Sequence, residues 1–219
     1  MTAGICEREI KMSKTVFKPG TMLNPVPAVM VSCGDDAVNN IITIAWTGII
    51  NSDPPITYVS VRKSRYSHDI IERTGEFVIN LTTEKLAFAA DYCGVRSGRD
   101  VDKFKEMKLT AAESKEVSCP SIEESPVNIE CRVMEMKEYP THDMFIAEIV
   151  SVSVDDSLMD ETGKLCLDEA GLVAYNHGHY FALQKKEIGR FGYSVMKPKT
   201  RKRIEAEKRR NSGRKRRRR

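Results

Sequence analysis

The stretch NNIITIAWTGIINSDPPITYVSVRKSRYSHDIIERTGEFVINL, residues 39–81, decides the fold. Its first part, Asn40–Trp46, is an apolar and β-branched run of strand length. After a break at Asp53–Pro55, the run Ile56–Arg62 alternates with a period of two, which is typical of a half-buried strand. Glu76–Leu81 resumes a strand. The stretch therefore predicts several short strands with little sequence between them.

Three short helices are predicted to interrupt the strands, each preceded by a polar residue that can cap it. The predicted caps are Ser67, Thr82 or Thr83, and Asp100. Gly75 lies just past the first helix and is predicted to end it. The second helix is predicted to end near Cys93-Gly94, and the third spans VDKFKEM.

Further strands flank this region. Val26–Ser32 is apolar, and Val127–Tyr139 and Phe145–Asp155 both alternate around a turn at residues 139–143, which predicts a long antiparallel hairpin. Gly171–Leu183 predicts a last strand pair. Short strands joined by tight turns, with few helices, favour a mostly β fold built as an antiparallel β-barrel over a parallel α/β sheet.

The net charge of +4 conceals two oppositely charged parts. Residues 197–219 hold 14 basic and two acidic residues, a net charge of +12, and the rest of the chain carries −8. We therefore predict an N-terminal extension over residues 1–11, a packed domain over residues 12–196 and a disordered or helical basic tail over residues 197–219. Such a tail could bind a polyanion, or it could simply be solvated.

Composition excludes several classes of protein. The longest apolar runs fall short of the roughly 18 to 20 residues that span a bilayer, and the N-terminus lacks the apolar stretch of a signal peptide. The six cysteines include no Cys-x-x-Cys pair, which argues against a zinc ribbon or a thioredoxin-type pair. We predict a cytoplasmic protein with reduced thiols.

The common catalytic and nucleotide-binding motifs are missing from the sequence. It contains no Gly-x-Gly-x-x-Gly turn, no Gly-x4-Gly-Lys-[Ser/Thr] loop and no Gly-x-Ser-x-Gly elbow. Neither a catalytic side chain nor a metal site is predicted. His177-Gly178-His179 could chelate a metal only if a third ligand approached, and lining a polar edge is the preferred interpretation.

Hydroxyl groups and cations nevertheless cluster between residues 43 and 67. They are Thr43, Thr47, Ser52, Ser60, Ser64 and Ser67, with Arg62, Lys63 and Arg65. Hydroxyl donors, guanidinium groups and a helix N-terminus together can bind an anion such as phosphate. The alternative is that these residues are surface groups at the end of a barrel.

Three further residues have ambiguous patterns. Trp46 is the only tryptophan, and its position after an apolar run predicts a core residue. His68 and His142 are isolated histidines, for which we predict surface or helix-capping roles.

Residues 39–81 resemble the signature of the flavin reductase-like family of FMN-binding split β-barrels, close to the flavoredoxin branch. The resemblance lies in TIAWTG, DPP, the strand end V-R-x-x-R-x-S and GEFVINL, in that order and spacing. DYCGVRSGRDVDKF (residues 91–104) resembles a second family segment, and NHGHYFAL and IGRFG resemble its usual ending. The resemblance covers about residues 17–191. It implies a split β-barrel, bound FMN and a homodimer.

The resemblance also assigns candidate FMN-binding residues. It places Thr43, Ile44, Ala45 and Trp46 at the isoalloxazine ring, and Val61, Arg62, Ser64 and Ser67 at the phosphate. Asn80 and Leu81 would lie where the next strand closes over the cofactor, and Cys93, Gly94, Ser97 and Lys103 would approach it from the second segment. Lys103 suits either the phosphate or the electron-rich edge of the reduced ring.

The implied function is that of an FMN-binding oxidoreductase that moves reducing equivalents between NADH or NADPH and flavin. One alternative is a flavoredoxin-like electron carrier that does not use NAD(P)H directly. Two others are polyanion binding through the tail and a flavin-free barrel that serves as an interaction module.

Overall fold

The computed structural model describes residues 13–35, 37–184 and 186–204. The predicted N-terminal extension and most of the predicted basic tail lie outside the described residues. The helices of the barrel domain are α1 (Tyr66–Thr74), α2 (Ala87–Val95) and α3 (Lys103–Met107). The first five strands are β1 (Val26–Pro27), β2 (Val29–Gly34), β3 (Asn39–Ile44), β4 (Thr47–Ser52) and β5 (Pro55–Arg62). The remaining strands are β6 (Glu76–Leu81), β7 (Ala111–Ala112), β8 (Ser121–Ile122), β9 (Val127–Glu138), β10 (His142–Val154), β11 (Val173–Asn176) and β12 (His179–Ala182).

Seven strands form one antiparallel sheet in the order β3-β2-β6-β9-β10-β5-β4. β3 ends at Ile44 on one edge of this sheet, and β4 begins at Thr47 on the other. Only Ala45 and Trp46 separate the two edges, so the sheet must curl until its edges meet. The predicted antiparallel β-barrel is thereby confirmed, and the long hairpin of β9 and β10 is confirmed with it.

β2 and β3 are buried on both faces, which explains their nearly continuous apolar sequences. Val29, Val31, Ile42 and Ile44 belong to the core inside the barrel. Met30 and Ile41 belong to a second core outside it, formed with residues of α2 and α3. This outer core holds both helices against β3, next to the closure point of the barrel.

The predicted strands and helices are present, but the three predicted helix caps are wrong. Leu86 precedes α2, and Thr83 precedes the short turn Glu84–Leu86 that leads into α2 without a side-chain hydrogen bond to it. Arg65, not Ser67, precedes α1, and Ser67 lies buried within the first turn. Asp102, not Asp100, caps α3 by accepting a hydrogen bond from the Lys105 amide. Gly75 ends α1 in the left-handed conformation that glycine favours, as predicted.

β1, β11 and β12 form a small second sheet, and β7 pairs with β8 in a two-stranded one. Residues 198–204, at the start of the predicted tail, are helical. Across the described ranges, no helix is long and apolar enough to cross a membrane.

Candidate functional site

Two adjoining cavities open where the barrel closes. One, the aromatic cleft, has a volume of about 410 Å³, and the other, the anion cavity, about 260 Å³. Ile42, Arg62 and Arg65 line both of them. The cavities therefore form one elongated site with two chemically different ends.

The aromatic cleft is lined by the closure segment Thr43–Trp46 and by rings from distant parts of the chain. Trp46 is 42% exposed, so the prediction that it is a core residue is wrong. Its ring lies 4.5 Å from the ring of His142 between centroids. Tyr175 and Tyr180 also line the cleft and meet edge to face at 5.4 Å. The cleft is thus shaped to hold a flat, partly apolar ring.

His142 and Tyr180 have shifted pKa values in the cleft. Burial, followed by the charge of Arg62, lowers the pKa of His142 and keeps its imidazole neutral near neutral pH. Burial, with the Asp91 carboxylate adding to the effect, raises the pKa of Tyr180 to about 12. Both side chains therefore present neutral rings. His142, for which a surface or helix-capping role is predicted, is half-buried and lines the cleft.

The turn between β11 and β12 brings the second pair of rings to the cleft. His177 and Gly178 occupy this two-residue turn with φ values of 48° and 88°, as a type I′ hairpin turn requires. Gly178 lines the cleft. His177 therefore serves the turn, and among the described residues no group of three His, Cys, Asp or Glu side chains could hold a metal ion.

The anion cavity is rich in positive charge and hydroxyl groups. Its charged and hydroxyl-bearing lining residues are Arg62, Arg65, Arg96, Lys103, Ser64, Ser67, Ser97 and Tyr66. The first turn of α1 also faces it, and no side chain caps that turn. Because the first amides of a helix have no intrahelical partner, they remain available to an anion. Four members of the predicted cluster, Arg62, Ser64, Arg65 and Ser67, share this cavity, whereas Thr47, Ser52 and Lys63 line neither cavity.

Lys103 forms part of the floor of the anion cavity and is only 3% exposed. Its Nζ donates hydrogen bonds to the carbonyl oxygens of Ile41 at 2.6 Å and Cys93 at 2.8 Å. An ammonium group has three donors, so one remains for a ligand. Burial lowers the Lys103 pKa to about 8, which leaves the ammonium mostly protonated at neutral pH.

Asn40 and Ser67 form the buried polar floor beside Lys103. The Asn40 amide donates to the Ser67 hydroxyl at 2.8 Å. A Cβ atom added to Gly98 would lie 2.1 Å from the Asn40 side-chain oxygen, so only glycine allows this close approach. Burial raises the pKa of Cys33 to about 12 and that of Cys93 to about 11, which makes both thiols inert as nucleophiles.

A buried hydrogen bond fixes the strand that carries His142. His68 of α1 contacts Asp143 of β10, with Nε2 2.7 Å from Oδ2. The prediction that His68 lies on the surface or caps a helix is therefore wrong. Burial opposes ionisation of Asp143, but hydrogen bonds from His68 and Lys63 lower its pKa overall. Lys63, which the sequence grouped with the anion-binding cations, instead forms salt bridges with Glu138 and Asp143.

Most of the candidate site residues line the two cavities. Thr43, Ile44, Ala45, Trp46, Val61 and Gly94 line the aromatic cleft, Ser64, Ser67, Cys93, Ser97 and Lys103 line the anion cavity, and Arg62 lines both. The Thr43 hydroxyl donates to the Ala90 carbonyl, so its side chain holds α2 against β3. The structure thus brings both sequence segments to one site.

Asn80 and Leu81 are not part of the lining of either cavity. The Asn80 amide nitrogen donates to Met30 and Val78 carbonyls and to the Ser32 hydroxyl, and its oxygen accepts from the Ile122 amide and from Asn128. With its polar atoms satisfied inside the protein, Asn80 joins β2, β6 and β8 and reaches neither cavity.

Several lining residues were missed by the sequence reasoning. They are Asn40, Tyr66, Arg96 and Gly98 in the anion cavity and Asp91, His142, Tyr175, Gly178 and Tyr180 in the cleft. The segment DYCGVRSGRDVDKF already contained Arg96 and Gly98. The local sequence around Tyr175 and Tyr180 does not indicate a binding site, because the pairing of β1 with β11 brings them to the cleft.

Comparisons with known proteins agree on one family. The model of the flavin reductase-like domain matches residues 21–184. Flavoredoxin of Desulfovibrio vulgaris (Miyazaki F) superposes with a TM-score of 0.77 and 30% identity, covering 83% of this chain and 100% of flavoredoxin. Flavoredoxin from Methanosarcina acetivorans gives a TM-score of 0.72 and 26% identity, covering 86% and 100%. An uncharacterised protein of Archaeoglobus fulgidus is 36% identical over 121 residues, which are 55% of this chain and 68% of that protein.

Proposed function

The chain belongs to the flavin reductase-like family, and from that premise we propose that it is an FMN-binding oxidoreductase that passes reducing equivalents from a reduced nicotinamide to flavin. The observation that carries the proposal is the pair of joined cavities. An aromatic cleft continues into a cationic cavity through shared walls at Ile42, Arg62 and Arg65. FMN has the same two parts, a flat ring system and a phosphate.

The anion cavity fits the phosphate end of FMN. Lys103 contributes a buried ammonium with one free donor, and the uncapped start of α1 contributes backbone amides. Ser64 and Ser67 add hydroxyl groups. Charge-assisted hydrogen bonds to a dianionic phosphate are the strong kind, so this end would provide most of the anchoring.

The aromatic cleft fits the isoalloxazine end. The backbone of residues 43–46 runs along it, and Trp46 and Tyr175 provide ring surfaces. Trp46 stays 42% exposed, so a donor or acceptor can reach the cleft from solvent. Asp91, Arg62 and Arg65 place charges where they can affect the potential of a bound ring.

FMN, when bound, supplies the redox chemistry, because its ring accepts and donates electrons. The chain's own residues then need only bind, orient and shield the cofactor. This agrees with the inert thiols of Cys33 and Cys93 and with the neutral imidazole of His142. We assign no catalytic side chain.

The proposal is tested by the absorption spectrum of the full-length protein after incubation with FMN and removal of free ligand. We expect a bound flavin spectrum in about a one-to-one ratio. Anaerobic addition of NADH or NADPH should then bleach the flavin band. A protein that stays colourless would exclude the proposed cofactor.

A second candidate is a flavoredoxin-like electron carrier, which the likeness to two flavoredoxins favours. It differs from a reductase only in its donor. FMN that binds but is not bleached by either nicotinamide would favour the carrier. Reduction by dithionite provides the control that the bound flavin is redox active.

We also propose that the protein is a homodimer. Val16, Phe17, Leu23, Ile188 and Phe191 are large apolar side chains that are each at least 79% exposed, and a second copy would cover such surface. Light scattering during size-exclusion chromatography tests this proposal. A single species at the monomer mass would contradict it.

Binding of a polyanion by residues 197–219 is a separate proposal that rests on their net charge of +12. A chain ending at residue 196 is the matched comparison. Equal retention of both chains on a heparin column would contradict the proposal.

A further inference from the structure

The two walls of the anion cavity come from segments that are distant in sequence. The corner wall, residues 62–67, joins β5 to α1, and the strap, residues 96–100, follows α2. Lining residues of the corner wall are Arg62, Ser64, Arg65, Tyr66 and Ser67, and those of the strap are Arg96, Ser97 and Gly98. Lys103 and Asn40 are buried at the floor. A group that binds at this floor must therefore pass between the two walls.

Arg99 of the strap contacts the corner wall and α1. Its guanidinium donates hydrogen bonds to the Asp69 carboxylate of α1 at 2.6 Å and to the Ser64 carbonyl oxygen at 3.3 Å. The same group lies over the ring of Tyr66, 5.0 Å from its centroid, where cation–π attraction adds to the hydrogen bonds. A single exposed ion pair contributes little, but these contacts converge on one planar group and fix its orientation.

The strap has the form of a compact turn. The amide of Arg99 donates to the Ser97 hydroxyl at 3.2 Å, and the amides of Asp100 and Val101 donate to the Ser97 carbonyl oxygen at 3.1 and 3.3 Å. The strap meets the floor at Gly98, which has no side chain to interlock with it. The turn can therefore move as a unit when the contacts of Arg99 break.

We propose that Arg99 is a positioning residue that latches the strap to the corner wall, and that this latch limits the rate at which a phosphate-bearing ligand enters and leaves the anion cavity. The inference rests on the proposed function, in which that ligand is FMN. It also deepens that function. A latched cavity retains FMN between turnovers as a cofactor, whereas an unlatched cavity exchanges it as a substrate.

The position of Arg99 determines which kinetic constants the latch affects. Arg99 does not line the anion cavity, and its partners are groups of the protein. Contacts that are equally strong with and without a ligand do not shift the binding equilibrium. They raise the barrier to entry and to exit alike. A residue that held the ligand directly would instead change the affinity, mainly through the dissociation rate.

The first arm of the test measures FMN association and dissociation on the full-length protein by stopped-flow quenching of Trp46. Arg99→Gln should raise both rate constants about tenfold, the change expected when charge-assisted hydrogen bonds are removed. The Kd for FMN should stay within about threefold of the wild-type value. Arg99→Lys keeps the charge but loses the planar fork, so its rates should be intermediate.

Two further variants serve this arm. Arg73→Gln is the matched control, because Arg73 forms an ion pair with Asp35 at the same distance of 2.6 Å and lines neither cavity. Its rates should equal those of the wild type. Asp69→Asn removes the latch from the other side. Combined with Arg99→Gln it should give no further increase, because both changes remove one shared contact. Increases that multiply in the double variant would contradict a shared latch.

The second arm needs no ligand and measures hydrogen exchange of the strap amides. The amides of Arg96, Asp100 and Val101 form backbone hydrogen bonds at the ends of the strap. In Arg99→Gln they should exchange about tenfold faster than in the wild type and in Arg73→Gln. The melting temperature should stay close to that of the wild type, because the Arg99 side chain is 46% exposed.

The outcomes separate this inference from the proposed function. If FMN does not bind the wild type, the proposed function fails, and the exchange rates of the strap amides alone decide the latch. If those amides exchange at the wild-type rate in Arg99→Gln, the latch is overturned. It is also overturned if FMN binds and neither rate constant changes, or if only dissociation accelerates and the affinity falls with it.

Discussion

The buried Nζ of Lys103 donates a hydrogen bond to the carbonyl oxygen of Cys93 at 2.8 Å. Cys93 lies in the last turn of α2, where carbonyl groups have no partner within the helix. The same ammonium donates a hydrogen bond to the carbonyl oxygen of Ile41 in β3. One cation therefore joins α2 to β3 and, on its remaining side, faces the anion cavity.

This arrangement predicts opposite pH trends for stability and for ligand binding. The pKa of Lys103 is about 8 in the folded protein, against an ordinary value of 10.5. Between these values Lys103 binds more protons in the unfolded chain, so its contribution to the free energy of unfolding of the ligand-free protein should rise with pH. The buried thiols of Cys33 and Cys93 contribute the opposite trend above their ordinary pKa of 9.0, because their pKa values are raised in the folded protein. FMN affinity should fall over the same range, because the ammonium loses its charge.

Thermal melts with and without FMN, between about pH 7 and about pH 10, check this prediction. The difference in stability between the wild type and the Lys103→Met variant isolates the Lys103 contribution, and the variant should bind FMN at least about tenfold more weakly at neutral pH. If the melting temperatures of the free and the FMN-bound wild type changed with pH in parallel, the ammonium would have no role in binding.

Gly98→Ala tests the close packing of the cavity floor. The added Cβ would lie 2.1 Å from the Asn40 side-chain oxygen, so Asn40 must move and its hydrogen bond to Ser67 is lost. We expect a loss of about 1 to 3 kcal/mol in stability and weaker FMN binding. Urea denaturation and FMN titration measure the two effects. Gly20→Ala is the control, because the nearest atom to its Cβ would lie 3.9 Å away.

Trp46 provides a direct signal from the cleft. It is the only tryptophan of the chain, so its fluorescence reports on the cleft alone. FMN should quench this emission as it binds. Trp46→Ala should weaken FMN binding by about 1 to 2 kcal/mol, with little effect on stability, because the ring is already 42% exposed. Unchanged emission at saturating FMN would place the ring outside the cleft.

Asp143→Asn tests the buried hydrogen bond with His68. Both side chains are buried, and the substitution removes a charged hydrogen bond at 2.7 Å, so we expect a loss of roughly 1 to 3 kcal/mol near neutral pH. The pKa of Asp143 is lowered in the folded state. Its contribution is therefore present above the ordinary pKa of the carboxyl group and disappears as the pH falls through the lower folded value.

Denaturant unfolding across this acidic range measures the difference between wild type and variant. The free energies of unfolding of the wild type and the variant should converge at low pH, where Asp143 of the wild type is protonated in both the folded and the unfolded state. A constant difference would show that the effect comes from packing and not from charge.

Local sequence patterns were sufficient to predict the strands, the hairpin of β9 and β10 and much of the site. The strands are short and strongly patterned, and both site segments are continuous in sequence. The missed residues depend on long-range pairing: Tyr175 reaches the cleft because its strand pairs with Val26. Ser67 was given a capping role because local spacing does not show that packing buries it inside the first turn.

Asn80 is the opposite case, a predicted site residue that lines neither cavity. The family resemblance assigns Asn80 to the cofactor, but its amide forms hydrogen bonds with the backbone and side chains of neighbouring strands. Satisfaction of a buried polar group depends on atoms tens of residues away, so it can be identified only in the folded structure.

The most direct test of the central claim is the affinity of the full-length protein for FMN relative to riboflavin, measured by quenching of Trp46. The two ligands share the ring and differ in the phosphate. If the ring lies in the aromatic cleft and the phosphate in the anion cavity, both should quench, and riboflavin should bind at least about 100-fold more weakly. Equal affinities would contradict the assignment of the anion cavity to the phosphate.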